Sequence, residues 1–384
     1  MEKYSEDLLQ HLIKDDEVRQ NWYKARHYVN NVLSKSEGRG LTTEPSDRIH
    51  IAIEAFPANR QKNALMFAVI RQICLMAHYP NFNEETGEHK TLISIYSGEG
   101  NVHSVYDEMK DYPYLGNLLE YCKCTIEGKA VTNSGDTIPL DIEFQFVNDQ
   151  QSIDKDAIFI SLSDVENGTK DFREEMDITM GMLVNMVYHT GAEIDNLPAN
   201  DNADIERYSI ALNVFCYKLK PSLILQTWKD CARPQEDGTY KEIDIKNQLS
   251  SVFCADCFDT HIRWFLDTRE KTATEYLPQD FERVMKKICE EKTITSLARC
   301  EHARWNVEKL IMGFKPLSME DWYEIETCFG DERKRKIKAL KKIGRHIDIC
   351  SCKDLHRVNP SDIKYDFFLM LAMPQIMRSY LTAK

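Results

Sequence analysis

The chain has 384 residues, of which 42% are hydrophobic, 10% aromatic and 29% charged. That composition excludes a fibrous, collagen-like or largely disordered protein, and at roughly 150 residues per domain the length implies two or three domains. The net charge of −13 argues against general nucleic-acid binding, which needs a basic surface.

The charge is uneven. From Glu291 onward 18 Lys and Arg face 13 Asp and Glu, whereas the rest of the chain has 31 against 49. A mildly basic tail therefore follows a strongly acidic body. No apolar run reaches the roughly 20 residues of a membrane helix; Phe367 to Met377 is the best candidate and contains Pro374. Met1 to Asp7 is too polar for a secretory signal, so a soluble, cytoplasmic chain is expected. The 12 cysteines are then expected to be reduced and mostly buried. Only Cys254 and Cys257 have zinc-knuckle or redox spacing, and a zinc ribbon needs a second such pair, so no metal is expected.

In chain order, residues 4 to 35 read as helix, with Leu8, Leu12, Trp22 and Val29 at helical spacing. Turn formers fill Ser36 to Pro45. Arg48 to Phe56 is a strand, Asn63 to Tyr79 a helix, Thr91 to Tyr96 a second strand, and Val102 to Cys122 largely helical. Leu140 to Val147 alternates like a strand with one wetter face. Ala157 to Leu162 reads as a strand buried on both faces. Phe172 to Tyr188 is a further helix, Ile205 to Trp228 is helix or strand, and Gln248 to Cys254 is a candidate last strand. This alternation predicts an α/β body with a Rossmann-like parallel sheet. The divisions drawn are a helical appendage over 1–45, the α/β domain over 46–290 and a helical domain over 291–384.

In such sheets ligands sit beyond the C-terminal strand ends. The turn after the first strand, Glu54 to Arg60, has no glycine, so conventional dinucleotide binding is not expected. Glu54, Asn59, Ser163 and Asp164 form a secondary candidate site, although Ser163-Asp164 also suits a helix cap. His50, inside the first strand, reads as structural. No nucleophile elbow, zinc-protease motif or Walker loop occurs.

The most specific segment is Ser296 to Lys315, one helix stopped by Gly313. Glu301, Trp305 and Glu308 share a face, with Arg304 spaced to reach either acid. An Arg–Glu ladder over a core is one reading. A pocket wall is the other, with Trp305 stacking on a planar ring, Arg304 pairing an anion and a carboxylate accepting hydrogen bonds. Arg333 to Arg345 follows, with eight basic residues in thirteen and Ile337, Leu340 and Ile343 at helical spacing. It reads as a solvated face or as an attractor for a phosphate-bearing partner.

This tail resembles the ryanodine-receptor repeat domain, through Leu297-Ala298, Glu301-His302-x-Arg304-Trp305, Lys309-Leu310 and Gly313-Phe314. The match continues through His346-Ile-Asp348, Leu355, Tyr365-Asp366 and Pro374. The proline that usually follows the His-x-Asp block is replaced by Ser351-Cys352. The resemblance implies a helical module behind a degenerate TrkA-N-like Rossmann unit. It also implies ligand sensing, with a nucleotide or other small anionic metabolite as ligand, in some relatives within anti-phage conflict systems. Glu301, His302, Arg304, Trp305, Glu308, Lys309, His346 and Asp366 are the candidate ligand-binding residues. No catalytic residue and no cofactor is implied. Three alternatives stay open: a nucleotide-processing enzyme at Ser163 and Asp164, an interaction protein docking its basic helix on an acidic partner or on its own acidic body, and a regulatory subunit of an ion transporter; for partners, a homo-oligomer and an acidic protein are both left open.

Overall fold

The computed structural model describes residues 16–35, 48–57, 59–98, 101–112, 115–131, 138–167, 181–185, 187, 245–266, 277–289 and 291–382. They fall into two compact units. One spans Met1–Asp171 and Ala303–Asn359, the other Phe172–His302 and Pro360–Lys384. The α/β body and the helical C-terminal region expected from sequence are both present. The units divide within one helix near Ala303, not at residue 291.

The first unit is built on strands β1 (His50–Glu54), β2 (Thr91–Tyr96), β3 (Lys123–Ile126), β4 (Lys129–Ala130), β5 (Ile142–Val147) and β6 (Ile158–Ile160). Their order is β4-β3-β5-β2-β1-β6, parallel except for the β3–β4 hairpin. Register explains the core. Ile51 and Ile53 lie beside Ile93 and Ile95, which lie beside Phe144 and Phe146, and all six are buried. Burial of each such side chain stabilises by roughly 1.5–3 kcal/mol.

The opposite face is more polar. His50 shares a 2.7 Å hydrogen bond with Ser94 Oγ, as a structural histidine would. Its apolar patch of Ala52 and Val147 is closed by Ile153 and Ala157, from the segment joining β5 to β6. Below the sheet, His78 is fully buried, with Nδ1 2.8 Å from Asp141 Oδ2 and Nε2 2.8 Å from Cys74 O.

The helices of this unit are α1 (Asp16–Lys35), α2 (Arg60–Met76), α3 (Val102–Asp111), α4 (Gly116–Tyr121) and α5 (Leu162–Asn167). Helix α2 is buried on nearly every side and packs on α1. The second unit holds α6 (Ile245–Leu266), α7 (Pro278–Ile288) and the start of α8 (Glu291–Ile311). Helices α9 (Met319–Thr327), α10 (Gly330–Lys342) and α11 (Cys352–Val358) return to the first unit, and α12 (Pro360–Thr382) belongs to the second. In the second unit α7 packs on α12 and α6, burying Phe281, Val284 and Ile288 at helical spacing.

Two strand expectations need correction. Gln248 to Cys254 lies inside helix α6; short apolar runs do not separate helix from buried strand by periodicity. Strand β6 forms, but with Phe159 40% exposed, not as a strand covered on both faces, and among the described residues it is the last strand of the sheet. The Cys122/Cys124 alternation fits a strand or extended segment, and β3 forms there, whereas the two-residue β4 is too short and polar to read from the sequence. Of the helix expected over Phe172 to Tyr188, residues 181–185 and 187 are described and are helical. The readings for 4–15, 205–228 and most of the loops lie outside the described residues. Among the described residues no helix is long and apolar enough to cross a membrane.

Candidate functional site

Two glycines place the principal candidate residues. Helix α8 ends at Gly313 with φ +87°, and Phe314 N–H reaches back to Lys309 O at 2.9 Å. Helix α10 ends in the same way at Gly344, φ +81°, with Arg345 N–H bonded to Leu340 O at 3.0 Å. Glycine adopts this left-handed turn without a side-chain clash. The two exit segments then pair: Lys315 N–H donates to Gly344 O at 2.8 Å, and His346 N–H to Lys315 O at 2.9 Å. Asn306 Nδ2 adds a bond to Cys350 O at 2.9 Å.

The result is an aromatic group around a buried imidazole. His346 lies edge-on to Trp305, with ring centroids 5.0 Å apart, and to Phe314 at 5.7 Å. Trp305 and Phe314 are half-buried. The Lys309 ammonium stands 5.2 Å from the Trp305 ring centroid. Burial, reinforced by the Lys341 and Lys309 ammonium groups, pushes the His346 pKa well below its ordinary value. Its Nδ1 accepts from the Asp348 N–H at 3.3 Å, which fits a neutral ring.

Behind the indole lies a buried ionic group. Arg304, 2% exposed, donates to Glu308 Oε2 at 2.6 Å, and Lys309 Nζ donates to Glu308 Oε1 at 2.6 Å. Burial would raise the Glu308 carboxyl, but the Lys309 and Arg304 cations outweigh it and hold the pKa below the usual range. Arg304 was expected to pair an anion and Glu308 to accept from a ligand. Instead they satisfy each other, because an unpaired buried charge costs several kcal/mol, on the order of 3–5. Of the two sequence readings, the Arg–Glu ladder holds for this pair, and Trp305 and Lys309 keep a partly open position.

The remaining candidates are placed elsewhere. Glu301, His302 and Asp366 belong to the second unit, where His302 Nδ1 lies 3.3 Å from Asp366 Oδ2. Glu301 and His302 are buried there. At the strand ends, Asn59 caps α2 by accepting from Lys62 N–H. Asn63 closes the turn after β1: its Oδ1 accepts from Phe56 N–H at 3.1 Å, and its Nδ2 donates to Glu108 at 2.7 Å. The Phe56 N–H is thus engaged within the turn. Ser163 Oγ lies 2.6 Å from Ser161 Oγ, and Asp164 is an exposed residue in the first turn of α5. Glu54 is half-buried at the end of β1.

Cys254 and Cys257 are one turn apart and buried in α6, and no group of three metal-binding side chains forms among the described residues. Sequence reasoning missed Lys341 as a neighbour of His346, since only the α10 exit turn brings it near. No family model, curated protein or solved structure matches the chain. The resemblance to the ryanodine-receptor repeat therefore rests on the residues quoted for it.

Proposed function

We propose that the protein is a ligand-sensing protein for a nucleotide-type or other small, planar anionic metabolite, bound at Trp305. The observation that carries this reading is the half-buried indole beside Lys309, grouped with Phe314 and a neutral His346. A flat ring stacks on the open indole surface, and the Lys309 and Lys341 ammonium groups supply the charge. Arg304 and Glu308 act indirectly, by holding Lys309 beside the ring. Contact with Trp305, Phe314 and His346 fastens α8 to the exit of α10 and restrains the hairpin between them. No chemical step is needed. The ryanodine-receptor-repeat resemblance adds the setting of a prokaryotic conflict system.

Thermal-shift screening against linear and cyclic nucleotides tests this. Ligand at about 100 times its dissociation constant adds about 2.7 kcal/mol of stability by mass action. The shift is expected to vanish in Trp305→Ala and to weaken in Lys309→Gln. A silent panel, or a full shift retained by Trp305→Ala, rejects the site.

A further inference from the structure

The first unit carries two exposed surfaces of opposite charge, each with large apolar side chains in the open. The first is the α9–α10 hairpin. Helix α10 has no buried residue, although it contains Ile337 and Leu340. Three acids of α9 are paired with cations, Asp321 with Arg345 at 3.1 Å, Glu324 with Lys336 at 3.3 Å, and Glu326 with Arg357, while Glu320 and, at the start of α10, Asp331 and Glu332 are exposed. Further along α10 runs a cationic stripe. Lys334, Lys338 and Lys342 lie four residues apart on one helix face, are exposed, and make no hydrogen bond or ion pair among the described residues. Like charges at this spacing repel. Elsewhere on the same hairpin Met319, Tyr323, Phe329 and Ile343 are exposed, Phe329 to 79%.

The second surface is the edge of the sheet at β6. Among the described residues no strand follows β6 in the sheet order. Asp154 and Asp156 precede it, Asp164 and Glu166 follow it, and all four are exposed, with Lys155 the one cation among them. Phe159, in the middle of β6, is exposed as well. An open strand edge with an apolar side chain is a site that other chains pair with. Of the six large apolar side chains exposed among the described residues, five lie on these two surfaces. Such clustering marks interaction sites.

Both surfaces are exposed at once within one compact unit, so neither covers the other in the same chain. We propose that the basic α9–α10 hairpin of one copy docks on the acidic β6 edge of a second copy. Charge complementarity selects this occupant: lysines face aspartates, and Phe329 and Tyr323 gain an apolar partner in Phe159. The two surfaces differ, so the contact is head-to-tail and propagates into a ring or a filament. This inference does not depend on the Trp305 ligand.

Sedimentation velocity of the full chain tests it. Association is expected to grow with protein concentration and to be lost at high salt. The variants Lys334→Glu/Lys338→Glu/Lys342→Glu and Asp154→Lys/Asp156→Lys are each expected to stay monomeric. In their mixture the intact edge of one variant meets the intact hairpin of the other, and the two reversed surfaces are again of opposite charge, so alternating copies are expected to associate as the wild type does, which also shows that both are folded. A monomeric wild type at every concentration overturns the proposal. So does association that survives both variants, or a mixture that stays monomeric while the wild type associates. If a monomeric wild type instead binds a labelled single-stranded oligonucleotide or anionic vesicles through the lysine stripe, the face belongs to that partner.

Discussion

Helices α8 and α10 are both rich in charge, yet the fold treats them in opposite ways. In α8, Arg304, Glu308 and Lys309 are drawn together, the first two fully buried. In α10, Lys334, Lys338 and Lys342 are exposed and make no ion pair among the described residues. Charge content alone does not assign a role. What separates the two helices is whether the carboxylate a cation needs lies within its own buried face. The α8 group is a structural element that every neighbour depends on, and the α10 stripe is surface available for recognition.

The strongest way to break this contrast is Glu308→Ala. It leaves Arg304 buried without its carboxylate and is expected to cost about 3–5 kcal/mol, read as a lower denaturant midpoint. The double change Arg304→Met/Glu308→Leu is expected to recover most of that loss, since removing both charges removes the penalty. If Glu308→Ala costs no more than an exposed substitution, the ionic group is not structural.

Acid titration should reveal the same core in two stages. Burial holds the folded pKa of His346 well below the ordinary imidazole value of about 6.5. As pH falls below that value the unfolded chain takes up a proton that the folded chain refuses, so stability declines. His346→Gln should shrink that first decline, and what remains falls to His50, whose pKa burial also lowers. Glu308 is depressed below 4.5, so its contribution is present above that value and is lost as pH falls through the folded pKa. Stability that rises on acidification between neutrality and the first stage would contradict the buried neutral imidazole.

At the small end stands α10. Lys338→Ala is expected to change stability by less than about 0.5 kcal/mol, because nothing in the fold leans on that ammonium. A loss of several kcal/mol would mean that the lysine stripe is part of the core.

Much of the architecture was legible in the residues. The isoleucine runs of β1 and β2 announced strands buried in a parallel sheet, and Gly313 marked where α8 stops. The turn after β1 carries no glycine, and Asn63 shows how it is closed. Other features were not legible. Gln248 to Cys254 is apolar enough for strand or helix, and only its neighbours in α6 decide. Ala157 to Leu162 looks like a central strand, because hydrophobicity does not report a strand's place in the order.

The candidate site divides in the same way. Residue spacing on α8 put Arg304 within reach of Glu308, and that local ladder forms. The sequence by itself determined the element types, the helix-ending glycines and the one-turn pairing of charges, because these depend on neighbours a few residues away. Only the tertiary structure decided that Arg304 is sealed while Trp305 stays half-open. It alone brought His346, some forty residues downstream, against the indole through two paired exit segments, since burial and long-range approach depend on how separate elements close around each other.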